Sequence, residues 1–293
     1  MINNFLWMAL IFFILAAILP IKYKTSRMPI GSIGWIFFAV YWALQPLYYL
    51  KEGDFSMVIL MLFVALICLI IAHIMLITYT KTKKGILHDD PTNRTKTLMA
   101  TTTVTALSAL FYFPFKQIES LNHLIISTVT SQTFWLSQQV GFPVTRLDWN
   151  MIMLEGYRVE IILACTAIES IALFFGLILG IKADKQKIFL ALMASIPVIY
   201  ILNLIRNTFV IGAYGYKWFG TGPMVVQLFG KEYFLHQSAS FYIGHHIIAK
   251  GGSGIALFFI AYAVLKLLPE LLDLIDNLWL LIKEDVRNIL RRS

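Results

Sequence analysis

The sequence predicts an all-α fold: a polytopic transmembrane helical bundle of about seven spans, with extracytoplasmic interfacial segments and a C-terminal amphipathic helix. Three observations carry this. Of the 293 residues, 59% are hydrophobic and 14% charged, which is too apolar for an ordinary soluble domain. Seven apolar runs approach the roughly 20 residues that cross about 30 Å of hydrocarbon. Lysine and arginine crowd into alternate connections between those runs, as they do in membrane proteins with cytoplasmic loops of positive charge.

In chain order the spans fall near 4–20, 33–50, 55–79, 98–115, 160–181, 188–212 and 241–265. The first has no basic region before its apolar stretch and no small-x-small site before Lys22, so it reads as a span rather than a cleaved leader. Pro46 interrupts the second, and the threonines from Thr101 to Thr105 dilute the fourth. Connections 21–32, 80–97, 182–187 and 266–293 hold 16 of the 24 basic residues, against 6 in the alternate set. That asymmetry puts the first set in the cytoplasm and the N-terminus outside. The long connections 116–159 and 213–240 are then extracytoplasmic, and "TFWLSQQVGF" and "YKWFGTGPMVVQLFG" give them an interfacial character suited to roofing a site. Residues 267–293, opened by Pro269, have apolar positions at helical spacing and a basic end, an amphipathic helix for the cytoplasmic face. The whole of 1–293 reads as one integral membrane domain.

Charge and cysteine content exclude several functions. The net charge of +8 is explained by topology; no basic stripe alternates with aromatics, so no nucleic-acid partner is expected. Cys68 and Cys165 both lie in apolar runs and define no disulfide framework. Neither a paired-aspartate site nor a HExxH zinc motif occurs, and no cofactor or metal is implied.

Polar residues inside spans carry the chemistry, because a charge at mid-membrane costs at least about 2.5–3.5 kcal/mol. Cys165 and Glu169 fall in the fifth span, Arg206 in the sixth and His245 at the start of the seventh. Cys165 is 17 residues from Lys182, Arg206 19 from Lys187 and His245 21 from Lys266. At about 1.5 Å per helical residue, these are roughly 25–31 Å, one layer near the outer face. A thiol, an imidazole and a guanidinium at one level can form a cysteine-enzyme site. Cysteine forms a thioester, histidine carries the thiol proton to the leaving amine, and arginine holds the oxyanion. Asn203, three residues before Arg206, shares its face and can orient it. Asn207 points about 100° away from Arg206, a weaker position. Glu169 lies one turn from Cys165 and can pair with Arg206 or fix the imidazole. His246 is the rival of His245. Gly176 and Gly180 form a small-xxx-small pair for close packing. Cys68 reads as a packing residue.

At these residues the sequence resembles a known family. "ACTAIES" around Cys165, "NLIRNTF" around Arg206 and "FYIGHHIIAK" around His245 are similar, in order and separation, to the three motifs of the exosortase/archaeosortase family, and most like its archaeosortases. The resemblance implies a membrane cysteine protease or transpeptidase with residues 155–265 as its catalytic core. Cys165 would be the nucleophile, Arg206 the oxyanion or substrate-positioning group and His245 the third catalytic position, which is arginine or histidine across the family. The implied partners are exported surface proteins whose C-terminal sorting signal is a short motif, a transmembrane helix and a basic cluster. The implied acceptor is a lipid anchor, and the implied site lies at the extracytoplasmic side of the cell membrane. Ala167 stands where archaeal members carry glycine, a difference expected to alter only packing beside the thiol.

Two other readings compete. "GGSG" at 251–254 matches the serine motif of rhomboid proteases, but Ser253 lies eight residues from His245 and no later span supplies a histidine. A non-enzymatic transporter or membrane scaffold would instead use Glu169 and Arg206 as an ion pair.

Overall fold

The computed structural model describes residues 2–19, 24–51, 55–84, 91–228 and 231–290. Contacts divide the chain into two compact units. The first comprises residues 1–110, 176–184 and 268–293, and the second 111–175 and 185–267. Among the described residues, five helical segments are long and apolar enough to cross a membrane: Ser26–Leu44, Val58–Lys83, Asn93–Gln117, Lys185–Gly215 and Ala239–Leu267. Two shorter apolar helices, Ile2–Ile18 and Ile168–Leu179, accompany them. These seven are the expected runs, and the class is the expected helical membrane bundle.

In the first unit, α1 (Ile2–Ile18) and α4 (Phe55–Lys83) both pack on α2 (Lys24–Leu44). The second span was expected over 33–50; α2 instead begins nine residues earlier and ends at Leu44, before the short α3 (Pro46–Lys51). The residue before proline is pushed out of helical geometry, which stops α2 at Gln45. The early start also places Arg27 inside α2. Its Nε and Nη2 donate to the carbonyls of Ala16 and Ala17, at 2.8 and 3.2 Å. A cation thereby satisfies acceptors that the last turn of α1 leaves open.

Buried polar ties hold the interior of this unit. Ser32 Oγ donates to the Ala72 carbonyl at 2.9 Å, and Trp35 Nε1 donates to Thr102 Oγ1 at 3.0 Å. Thr102 belongs to α5 (Pro91–Gln117), whose residues up to Leu110 lie in this unit. Gly176 and Gly180 meet α5 without side chains. A Cβ on Gly176 would stand 2.0 Å from Ser108 Oγ and 2.5 Å from its backbone nitrogen, and one on Gly180 would be 2.7 Å from Val104 Cα. The expected small-xxx-small packing is present. The amphipathic helix, α11 (Pro269–Leu290), packs on α4, and Arg94 Nη1 holds Glu284 at 2.9 Å. Residues 291–293 of its expected range lie outside the described residues.

The second unit differs from the expectation in its connections and at its fifth span. Residues 116–159 form α6 (Glu119–Gln139) and an antiparallel sheet of β1 (Thr145–Asp148), β2 (Met151–Leu154) and β3 (Tyr157–Glu160), in the order β1-β2-β3. Glu155 and Gly156, at φ 50° and 81°, turn β2 into β3, the positive-φ pair of a two-residue hairpin. Ile152, Leu154, Val159 and Ile161 alternate into a core shared with Ile126 and Val129 of α6 and Ile211 of α8 (Lys185–Gly215). A second hairpin, β4 (Pro223–Leu228) and β5 (Lys231–Ser238), lies in the other long connection.

The fifth span was expected to be helical over 160–181. The helix α7 covers only Ile168–Leu179 and is preceded by a 3-10 turn, Leu163–Cys165. Ala167 is the reason: its φ of 59° is left-handed, which a continuing right-handed helix does not admit. The seventh span runs through α9 (Ala239–Phe241), a π-helical stretch Tyr242–Ala249, and α10 (Lys250–Leu267).

Candidate functional site

Cys165 closes the 3-10 turn. Its N–H donates to the Ile162 carbonyl at 2.8 Å, and Thr166 N–H and Oγ1 both donate to the Leu163 carbonyl. The thiol is therefore displayed on a tight turn beside the sheet, half-buried against the core of the second unit, rather than on a helix face. The depth measured along a helix from Lys182 does not apply to it, since α7 accounts for 12 of the intervening residues.

The carbonyl of Cys165 accepts two hydrogen bonds, from Asn203 Nδ2 at 2.7 Å and Asn207 Nδ2 at 2.9 Å. Both asparagines are buried in α8, one turn apart on one face. Asn207 was expected to be the weaker contributor because it diverges from Arg206. The common target is Cys165, which both amides reach from the same side.

Arg206 lies beside that face and is half-buried. One guanidinium nitrogen donates to Asn207 Oδ1 at 3.4 Å, and Nη2 lies 3.4 Å from His245 Nε2. A guanidinium only donates, so Nε2 accepts and a neutral His245 carries its proton on Nδ1. That nitrogen is buried without a hydrogen-bond partner among the described residues. The imidazole stacks on Phe241, with ring centres 5.2 Å apart and planes 7° from parallel. Its position comes from the π-helical stretch, a rare geometry that recurs at functional sites. A continuous chain of polar contacts thus runs from the Cys165 carbonyl through Asn207 and Arg206 to His245.

The rival, His246, packs edge-on to His245 at 4.6 Å and against Tyr242 at 5.1 Å, and makes no hydrogen bond with Arg206. Glu169 was expected to pair with Arg206 or His245. It does neither: Tyr112 Oη donates to Glu169 Oε1 at 2.8 Å, and Lys116 extends over the Tyr112 ring, 6.0 Å from its centre. The proposed Glu169–Arg206 ion pair of a transporter or scaffold is therefore absent. Tyr112 and Phe241 are the side chains that sequence reasoning passed over; a tyrosine in an apolar run carries no signal, whereas Phe241 stands inside the "FYIGHH" motif. Ser253 Oγ donates to the Ala249 carbonyl at 2.7 Å, an ordinary backbone bond within a helix. Among the described residues, no cluster of His, Cys, Asp and Glu could hold a metal.

A helical membrane protein in which a half-buried cysteine on a tight turn is linked through its carbonyl and Asn207 to an arginine and a histidine is the class that fold and site define. The sequence model of the transmembrane exosortase family (Exosortase_EpsH) matches residues 3–229, and the chain belongs to that family, whose members are membrane sorting enzymes. It is similar to Archaeosortase A of Haloferax volcanii, 30% identical over 213 residues, 66% of this chain and 70% of that protein. Archaeosortase A of Natronomonas pharaonis is 26% identical over 205 residues, 64% of each chain. No solved structure matches.

Proposed function

We propose that this chain is a cysteine peptidase or transpeptidase that removes the C-terminal sorting signal of exported surface proteins, with residues 155–265 as its catalytic core. The observation that carries this reading is the bonded chain that joins the Cys165 backbone to Arg206 and His245. The Cys165 sulfur attacks the scissile carbonyl while His245 takes the thiol proton at Nε2, which gives up its contact with Arg206 so that the guanidinium turns to the reacting carbonyl. Arg206 stabilises the oxyanion of the tetrahedral intermediate, and collapse expels the C-terminal fragment as an amine that receives the proton. The remaining thioester is resolved by an acceptor nucleophile, such as a lipid headgroup, or by water. Asn203 and Asn207 are positioning residues that fix the peptide on which the thiol stands. The site lies near the extracytoplasmic face of the cell membrane, where the substrate's transmembrane helix and basic cytoplasmic tail bring its recognition segment to the thiol.

The test is processing of a co-expressed reporter that carries the C-terminal tail of a surface protein from the same host. Cys165→Ala lowers processing by at least about 10³-fold while the variant remains in the membrane. Normal processing by that variant overturns the reading.

A further inference from the structure

We propose that the outer edge of β3 binds the substrate's recognition segment as an added β-strand and feeds it to Cys165. This rests on the peptidase reading above and says how that site takes its substrate. The strand order gives β3 one neighbour, β2, among the described residues. Ile161 N–H donates to the Asn150 carbonyl at 2.8 Å, and with the register Val159↔Ile152 this fixes which backbone groups face inward. In an antiparallel pair, bonded and non-bonded positions alternate. Tyr157, Val159 and Ile161 therefore bond toward β2, and the N–H and C=O groups of Arg158 and Glu160 point away from it.

The side chains alternate in the other direction. Val159 and Ile161 are buried, at 8% and 2% exposure, while Arg158 and Glu160 are exposed. The core fixes the strand, and among the described residues no hydrogen bond reaches the outward N–H and C=O groups of Arg158 and Glu160 along its open edge. Such an edge is a template for another chain.

What selects an extended peptide as the occupant is where the edge leads. The backbone remains extended at Ile162, with φ −111° and ψ 174°, and turns at once into Leu163–Cys165. From Arg158 to Ile162 this is about 13 Å of extended chain at about 3.3 Å per residue, enough to pair with four residues of substrate. A peptide paired here is held straight by main-chain bonds, as in strand addition to other sheet edges, and its end is delivered to the turn that carries the thiol. Lipid chains have no ladder to offer. Backbone pairing reads shape more than sequence, so it also suits a family of substrates whose segments differ in side chains.

Disulfide trapping tests this with the full-length chain in the Cys165→Ala background. Arg158→Cys is paired with single cysteines placed one by one along the ten residues before the helix of the reporter tail. Side chains of adjacent strands meet only when they share a face. Adducts at every second tail position are expected, with none at the positions between. Adducts spaced every three or four residues, uniform adducts or no adducts overturn the inference, as does an Arg158→Cys homodimer in place of tail adducts. In the Cys165-containing chain, Arg158→Pro removes one outward N–H without touching a bond to β2, and processing slows about tenfold. Unchanged processing by Arg158→Pro also overturns the inference. Those failures leave the peptidase reading standing, because that reading falls only if Cys165→Ala processes the tail normally.

Discussion

Asn203 and Asn207 direct two amides at the carbonyl of Cys165, so each protects against loss of the other. Removing one leaves the acceptor satisfied and costs about 1 kcal/mol; removing both leaves it without a partner and adds about 1–3 kcal/mol more. Asn203→Ala should therefore slow processing less than about tenfold and Asn207→Ala, which also releases Arg206, more than that, while the double variant falls below the product of the two. A double-mutant cycle on turnover, with Cys165 alkylation rate as a second readout, checks this; a multiplicative cycle refutes shared positioning. Arg206 makes a different demand. Its planar fork reaches Asn207 Oδ1 with one nitrogen and His245 Nε2 with another. An ammonium keeps the charge but lacks that fork. Arg206→Lys is expected to remain in the membrane and to process the tail at least about tenfold more slowly, measured on the same reporter. Cys165, Arg206 and His245 stand out by residue type because a thiol, a guanidinium and an imidazole are conspicuous among apolar spans, whereas the helical spacing used to level them does not hold for Cys165, which lies on a 3-10 turn. The partner of Glu169 was not legible, since nothing about Tyr112 in "LFYFPF" distinguishes a hydrogen-bonded hydroxyl from a packed ring.

At the scale of elements, Ala167 decides where α7 begins, and its φ of 59° shows what a glycine there would change. The expectation of altered packing beside the thiol gives way to a backbone explanation: glycine enters the left-handed region without the Cβ penalty. Ala167→Gly should stabilise the protein by up to about 1 kcal/mol and Ala167→Val should destabilise it, both read as shifts in thermal unfolding in detergent. Equal melting temperatures for all three would show that the position is unstrained. The same turn explains why the fifth span was overdrawn. Hydropathy summed over a span-length window does not register one left-handed residue, and it merges the strand and turn before Ile168 with the helix after it. The sheet was hidden for a related reason. Strands of four residues fall below a window built for helices of about 20, although Ile152, Leu154, Val159 and Ile161 alternate and Glu155-Gly156 marks the hairpin between them. The π-helical stretch at His245 left no trace in the sequence pattern, because "FYIGHHIIAK" is equally compatible with an α-helix.

For the whole molecule, orientation follows from charge. Among the described residues, five span-length apolar helices and two shorter ones alternate with the connections, and 16 of 24 lysines and arginines fall in one alternate set of those connections. The structure moves part of that charge: Arg27 enters α2 and binds the end of α1, so its position is set by capping as much as by topology. The rest of the asymmetry is unaffected, and it predicts that α6 and the sheet with Cys165 stand on the side opposite Lys187. Two exposed positions separate the alternatives, Gln139 at the end of α6 and Lys187 at the start of α8. In a Cys165→Ala background, where Cys68 is buried and slow to react, Gln139→Cys should label with a membrane-impermeant maleimide in intact cells. Lys187→Cys should label only after the membrane is opened. The reverse pattern would put the thiol in the cytoplasm, where an exported substrate's recognition segment does not reach it. Labelling of both in intact cells would mean that the residues between 139 and 187 do not return the chain across the bilayer, and that α7, with its 12 residues, is not a span. Twelve helical residues rise about 18 Å, short of a 30 Å core, so the crossing must be completed by flanking residues or by locally thinned lipid. The maleimide pattern therefore measures orientation and tests whether the 12-residue α7 serves as a span at once.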